Sequence, residues 1–163
     1  MAQPSKPTSN YTIKTVGVAH AALLSSLQDA AYSPQGERFW SKTSFGETLL
    51  SHGVSANVVE VAGDPVGFCV MRQVTGEAEI LTIGVIPASQ RRGLGKVLLR
   101  NCINEATING ASTLFLEVRA DNIDAIHTYR SCGFTESGSR KNYYRLENGQ
   151  LIDALIYALD VKK

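Results

Sequence analysis

Ile80-Leu81-Thr82-Ile83-Gly84-Val85-Ile86-Pro87-Ala88-Ser89-Gln90-Arg91-Arg92-Gly93-Leu94-Gly95-Lys96 is the stretch on which the fold of this chain turns. Its opening residues, Ile80 to Val85, read as a strand. From Gly93 onward, Leu94, Val97, Leu98, Cys102 and Ile103 share one face of a helix. Between strand and helix stands Gln90-Arg91-Arg92-Gly93-Leu94-Gly95. The backbone N–H groups of such a loop close around a phosphate at the positive end of the helix, and two arginines add full charge. The reading is a site for a diphosphate-bearing cofactor. Taken alone, the same run also fits a glycine turn with a solvated basic face.

Upstream of this stretch, Tyr11–Val16 reads as a first strand, and the Ala- and Leu-rich segment 19–31 as a helix broken by Ser33-Pro34-Gln35-Gly36. Segment 37–44 reads as a loop carrying Glu37, Arg38, Phe39 and Trp40, with Thr43 or Ser44 capping a short helix through Leu50. Segments 57–61 and 66–74 are β-rich and separated by Gly63-Asp64-Pro65, so they form a hairpin. Segment 77–85 adds the third strand of the meander, closed by Pro87. Downstream, the long helix runs to about Asn109 with Gly110 past its end, and 113–118 is again a strand. A strand, a helix crossover and a second strand imply a parallel pair in one sheet. A short helix spans 122–132, and 134–140 and 154–159 read as two last strands, with Tyr143-Tyr144-Arg145 in the loop between them. The fold class is therefore α/β with a mixed sheet, antiparallel at its start and parallel at its centre. Three strands precede the glycine loop, which reads G-x-G only, and this argues against a doubly wound nicotinamide-binding fold.

Composition narrows the function. At 163 residues the chain fits one domain, with residues 1–10 a polar tail and 11–163 the folded part. A net charge of +1 offers no electrostatic case for nucleic acid or an anionic membrane, and no apolar run reaches spanning length. The tail lacks the apolar core of a secretory signal. Three dispersed cysteines, Cys69, Cys102 and Cys132, read as free thiols of a reducing, cytoplasmic compartment. His20, His52 and His127 are scattered, so no metal site is expected. Oligomeric state is open, and a monomer is compatible with the sequence.

The glycine loop resembles the acetyl-CoA pyrophosphate motif of the GCN5-related N-acetyltransferase (GNAT) superfamily, Q/R-x-x-G-x-G/A. Within it the chain is similar to the ribosomal-protein alanine N-acetyltransferases, the RimI type. That likeness is carried by Ile83-Gly84-Val85-Ile86-Pro87, by Leu116-Glu117-Val118-Arg119-Ala120-Asp121-Asn122 with Ala125, Tyr129 and Gly133-Phe134, and by Arg140-Lys141-Asn142-Tyr143-Tyr144 with Asp153-Ala154 and Tyr157-Ala158-Leu159. Phe39-Trp40-Ser41 resembles the substrate-side loop of the group. The similarity runs from about Val66 to Leu159 and is thin before Phe39. It implies the GNAT fold, acetyl-CoA as cofactor, and direct acetyl transfer to an amine. For the RimI type it implies a protein N-terminus as acceptor, typically that of ribosomal protein bS18. Gly84 stands where alanine is common in the group, and the lost methyl is expected to leave its strand looser.

Acetyl transfer from a thioester needs a neutral amine, a stabilised oxyanion and a proton for the leaving thiolate. An α-amine, with a pKa of about 8 against about 10.4 for lysine, is much the easier to deprotonate, so one carboxylate suffices, directly or through water. The resemblance makes Glu117 the base; the same residue also fits an outward strand position paired with Arg119. Glu79 shares a strand face with Glu77 and Leu81 and is a second candidate, for the base or for orienting water or amine. Tyr129 is the candidate acid, placed by the resemblance near the CoA sulfur, and a packed aromatic otherwise. Asn122 caps the short helix or bonds the pantetheine arm. The main chain at Ile83, Gly84 and Val85 is expected to meet pantetheine like an added strand, with N–H groups near Val85 at the oxyanion. Gln90, Arg91, Arg92, Gly93, Leu94, Gly95 and Lys96 are expected around the pyrophosphate, Lys96 fitting helix surface as well. Trp40, Tyr143 and Tyr144 offer flat surfaces for the first acceptor residues, and Glu37 and Asp153 can orient cations. Transfer to a small amine or an internal lysine is the alternative activity; a non-catalytic acyl-CoA-binding protein is the alternative of another class.

Overall fold

The computed structural model describes residues 10–32 and 40–162. These build a seven-stranded sheet in the order β1-β2-β3-β4-β5-β7-β6. Its strands are β1 (Tyr11–Val16), β2 (Val54–Val61), β3 (Asp64–Val74), β4 (Glu77–Val85), β5 (Thr113–Arg119), β6 (Thr135–Arg145) and β7 (Leu151–Asp160). The helices are α1 (Ala21–Tyr32), α2 (Lys42–Leu50), α3 (Leu94–Ile108) and α4 (Ile123–Ser131). β1 to β4 form an antiparallel meander, and β4 meets β5 in parallel across α3, as the strand–helix–strand reading requires. β7 inserts between β5 and β6, antiparallel to both.

Side-chain alternation divides the apolar residues between the two faces of the sheet. Cys69, Met71, Ala78, Ile80, Leu114, Leu116 and Val118 pack with the buried face of α3 and with Ile126 and Tyr129 of α4. Phe68 and Val70 pack on the other face with Leu24, Leu27 and Ala31 of α1 and Phe45 of α2. Cys69 and Cys102, far apart in sequence, meet in the first of these layers with sulfurs 2.9 Å apart. The Cys102 sulfur, and then burial, push the Cys69 thiol well above its ordinary pKa.

Several boundaries differ from the sequence reading. Ser41, rather than Thr43 or Ser44, caps α2, its hydroxyl accepting from the Ser44 N–H at 3.1 Å. β3 begins at Asp64, so Pro65 lies within it, beside a register shift at Val59/Glu60. Tyr143, Tyr144 and Arg145 belong to β6 instead of the loop, because the strand resumes pairing at Tyr144–Ile152 after a bulge. Gly84 does not loosen β4: a methyl there would meet the Ala31 Cβ and Phe68 Cε1 at 3.0 Å, so larger neighbours fill its space.

Candidate active site

β4 and β5 pair only over Glu77–Ile80 against Thr113–Leu116, although β4 runs on to Val85 and β5 to Arg119. Beyond Ile80 the strands part. A cleft of about 730 Å³ opens there, a size suited to a cofactor with part of a second substrate. The parting coincides with a β-bulge: Val70 pairs with Thr82 but Met71 with Ile80, leaving Leu81 as the extra residue. The bulge reverses the phase of alternation. Glu79 lies on the α1 face before it, whereas Thr82 and Gly84 point to α1 after it, toward Gln28 and Ala31.

The main chain of the freed strand is aimed by the same ladder. The Ile86 N–H donates to the Val66 carbonyl, so by antiparallel alternation Gly84 also faces β3, and Ile83 and Val85 turn their N–H and C=O groups into the gap. Two side chains close on this edge. The Tyr32 hydroxyl donates to the Ile83 carbonyl, and the Gln90 amide donates to the Val85 carbonyl at 2.9 Å.

At one end of the cleft stands the N-terminus of α3. Gly93, at φ +78°, precedes it without any side-chain cap, and Arg91 is also left-handed at φ +62°. The Val97 N–H is the first to bond back, to Gly93, so the first-turn N–H groups of α3 present a positive pole. A Cβ on Gly95 would touch nothing within 4 Å, so this loop leaves room for a bulky anion. The diphosphate chemistry read from the sequence fits these donors. Gln90, Arg91, Gly93 and Gly95 line the cleft; Arg92 and Lys96 are not among the lining residues, and Leu94 is buried in the core.

The carboxylates and the phenol approach the opening from three elements. Glu79 pairs with Phe115 across the parallel ladder, and Glu117 lies two residues farther along the same face of β5. Both line the cleft. The Glu117 Oε1 lies 2.8 Å from the Arg140 Nε, and its side chain is only 21% exposed. Its partner is thus Arg140 on β6, two strands away; Arg119 instead grips Asp121 at 2.7 Å. That guanidinium holds the Asp121 carboxyl below the usual carboxylate range. Glu79 is more open and lies 3.8 Å from Arg72. Tyr129 comes from α4, buried, its ring 6.2 Å from Phe134. Asn122 caps that helix, its Oδ1 accepting from the Ala125 N–H at 3.2 Å, and also lines the cleft.

Trp40, Tyr143 and Tyr144 also line the cleft. The tyrosines sit at the β6 bulge, where Asn142 is left-handed at φ +54° and its N–H donates to the Asp153 carboxylate at 2.8 Å. Asp153 is thereby engaged in holding the bulge and is not among the lining residues; Glu37 lies outside the described residues. The sequence reading did not single out Gln28, Tyr32 or Thr82. Gln28, almost fully buried, donates to the Thr82 hydroxyl at 3.1 Å and accepts from the Trp40 N–H at 2.6 Å. A glutamine among apolar helix neighbours was the available signal. Among the described residues no three His, Cys, Asp or Glu side chains gather to hold a metal ion, and no helix is long and apolar enough to cross a membrane.

Comparison with known proteins agrees with this geometry. The sequence model of the Acetyltransferase (GNAT) family matches residues 21–134. The [ribosomal protein bS18]-alanine N-acetyltransferase of Escherichia coli K12 is 40% identical over 126 residues, covering 75% of this chain and 81% of that protein. The N-alpha-acetyltransferase RimI of Mycobacterium tuberculosis is 38% identical over 118 residues, covering 68% and 71% respectively. The crystal structure of the E. coli ribosomal-protein-S18-alanine N-acetyltransferase superposes with a TM-score of 0.85 at 32% identity, over 94% of this chain and 95% of that one.

Proposed function

Because this chain belongs to the GNAT family and is an acetyl-CoA-dependent N-acetyltransferase, we propose that its acceptor is the α-amine of a protein N-terminus, the N-terminal alanine of ribosomal protein bS18 in particular. The observation that carries this reading is the meeting of Glu117, Tyr129 and the unpaired edge of β4 around one cleft. Similarity to enzymes named for bS18 alanine supports the choice of acceptor.

Acetyl-CoA, when bound, supplies an acetyl thioester whose carbonyl carbon forms a bond to the amine nitrogen as its bond to sulfur breaks. In this reading Glu117 takes the amine proton, directly or through water, and Tyr129 gives its phenolic proton to the departing sulfur. The Val85 N–H stabilises charge on the carbonyl oxygen, and Ile83 with Asn122 aligns the pantetheine arm. The first-turn N–H groups of α3, with Gln90 and Arg91, hold the pyrophosphate. Trp40, Tyr143 and Tyr144 hold the first acceptor residues, and Glu79 orients water or amine. We place the enzyme in the cytoplasm on the same reading.

The test is turnover of acetyl-CoA with a peptide beginning Ala-Arg-Tyr-Phe, against the same peptide with a blocked α-amine. Mass spectrometry locates the acetyl group. Acetylation confined to the free α-amine is the expected result. Absence of turnover with acetyl-CoA binding intact overturns the acceptor assignment.

A further inference from the structure

Among the described residues, three carboxylates and two guanidinium groups line the cleft: Glu79, Glu117 and Asp124 with Arg91 and Arg119. Glu79 and Glu117 stand 3.8 and 2.8 Å from Arg72 and Arg140, and Arg119 grips Asp121 at 2.7 Å. Asp124 and Arg91 face each other. Arg91 comes from the loop before α3, at φ +62°, and Asp124 from the first turn of α4. The Arg91 Nη2 lies 3.9 Å from the Asp124 Oδ2, with the side chains 89% and 91% exposed. This contact joins the loop assigned to the pyrophosphate to the helix that carries Tyr129. The start of α4 is itself held by other groups: the Asn122 side chain caps it, and the Thr128 hydroxyl bonds the Asp124 carbonyl rather than its carboxylate. An acid in the first turn also steadies a helix modestly through its dipole, which is the competing account of Asp124.

We propose that Asp124 competes with the cofactor pyrophosphate for Arg91 and thereby lowers the affinity of the enzyme for acetyl-CoA and CoA. This rests on the reading of the loop before α3 as the pyrophosphate site. Arg91 is the arginine of that loop that lines the cleft. Carboxylate and diphosphate are both acceptors for its planar fork, and a guanidinium turned toward one is turned from the other. An exposed pair at 3.9 Å is weak, so the competition is slight and the more highly charged diphosphate prevails. Acetyl-CoA and CoA carry the same diphosphate, so Asp124 loosens substrate and product alike and favours departure of CoA after transfer.

The experiment measures the Kd for CoA by calorimetry, at low and high salt, in wild type, Asp124→Asn, Arg91→Gln and the double variant. Asp124→Asn keeps the shape and removes the charge. It is expected to lower the Kd by about two- to fivefold at low salt, with a smaller gain at high salt. Arg91→Gln is expected to raise the Kd, and in that background most of the gain from Asp124→Asn should disappear, because the contested guanidinium is gone. The kcat/KM for S-acetylpantetheine, which lacks the diphosphate, should not move in Asp124→Asn. A helix role alone would lower Tm and leave the Kd for CoA unchanged. Asp124→Ala, which suits a helix, repeats the test should the asparagine variant fail to fold. A Kd unchanged or raised in the folded variant overturns the proposal, as does an equal gain with and without Arg91, or an equal gain for S-acetylpantetheine. In those cases weaker CoA binding by Arg91→Gln leaves the pyrophosphate reading standing. An Arg91→Gln enzyme that binds CoA as wild type does overturns both.

Discussion

Glu117 and Glu79 begin as equivalent carboxylates on one face of adjacent strands and end in different settings. Glu117 is four-fifths shielded and in short contact with Arg140, whereas Glu79 is 43% exposed at 3.8 Å from Arg72, a pair weakened by solvent. Glu117→Gln is therefore expected to lower kcat by about 10²-fold, and Glu79→Gln by less than about tenfold, in steady-state assays. Tyr129→Phe keeps the ring against Phe134 and removes only the hydroxyl; a similar loss of about 10²-fold in kcat with acetyl-CoA binding retained checks its role as acid. The place of Glu117 and Tyr129 at the cleft was legible because each sits in a segment that resembles the family's. Arg140 was not linked to Glu117, because that pair joins strands separated by the whole of α4 in the chain and by β7 in the sheet. Asp121 carries a pH signature. Its pKa is lowered by Arg119, so its contribution to stability is complete above the unfolded value of about 3.9 and is lost as pH falls through the folded one. Acid unfolding of Asp121→Asn should accordingly lose less stability below that pH than wild type does.

At the scale of elements, β4 and α4 show how local chemistry and packing divide the work. Gly84 is occupied space: Ala31 on α1 and Phe68 on β3 close over it. Restoring a methyl by Gly84→Ala should destabilise the protein by about 1 kcal/mol or more, read as a lower Tm, because packed neighbours must move. From the sequence this glycine reads as an extra degree of freedom, since its filling neighbours lie 16 and 53 positions away. Asn122 was legible as a cap, and its Oδ1 bonds the Ala125 N–H. Asn122→Ala should cost about 1 kcal/mol of stability, whereas Asn122→Ser, which still caps, should not. A rise in the acetyl-CoA Kd shared by both variants would assign the amide to the cofactor as well. The end of β6 was read as loop because Lys141-Asn142-Tyr143-Tyr144-Arg145 has no clean alternation; the bulge held by Asp153 explains why.

At the scale of the whole molecule, a buried polar network ties the cleft wall at Trp40 to the sheet. Gln28 links α1, the main chain at Trp40 and Thr82 on β4, just beyond the Leu81 bulge. Tyr32 extends it to the Ile83 carbonyl. Gln28→Met keeps the volume and strands the Trp40 N–H, while the Thr82 hydroxyl keeps its contact with the Tyr32 hydroxyl at 3.4 Å, at a cost of about 1–3 kcal/mol. The expected kinetic result is a higher KM for the peptide with little change in acetyl-CoA binding, because the loosened wall is the one carrying Trp40. An equal loss of affinity for both substrates would show that the network serves the fold as a whole. Cys69 and Cys102 make the same point about distance: two thiols read as separate in sequence form one buried contact between β3 and α3.

The sequence by itself determined the succession of strands and helices, the parallel crossing of β4 and β5 through α3, and the glycine loop that opens that helix. These follow from signals carried within a few neighbouring residues: apolar period, turn chemistry and a short motif. Tertiary structure alone decided where β4 and β5 part, how one bulged residue reverses the facing of Thr82 and Gly84, and which arginine meets Glu117. Those outcomes depend on packing between residues tens of positions apart. A shift of one residue in strand register sends a side chain to the opposite face, and no local pattern in β4 records the bulge that makes that shift.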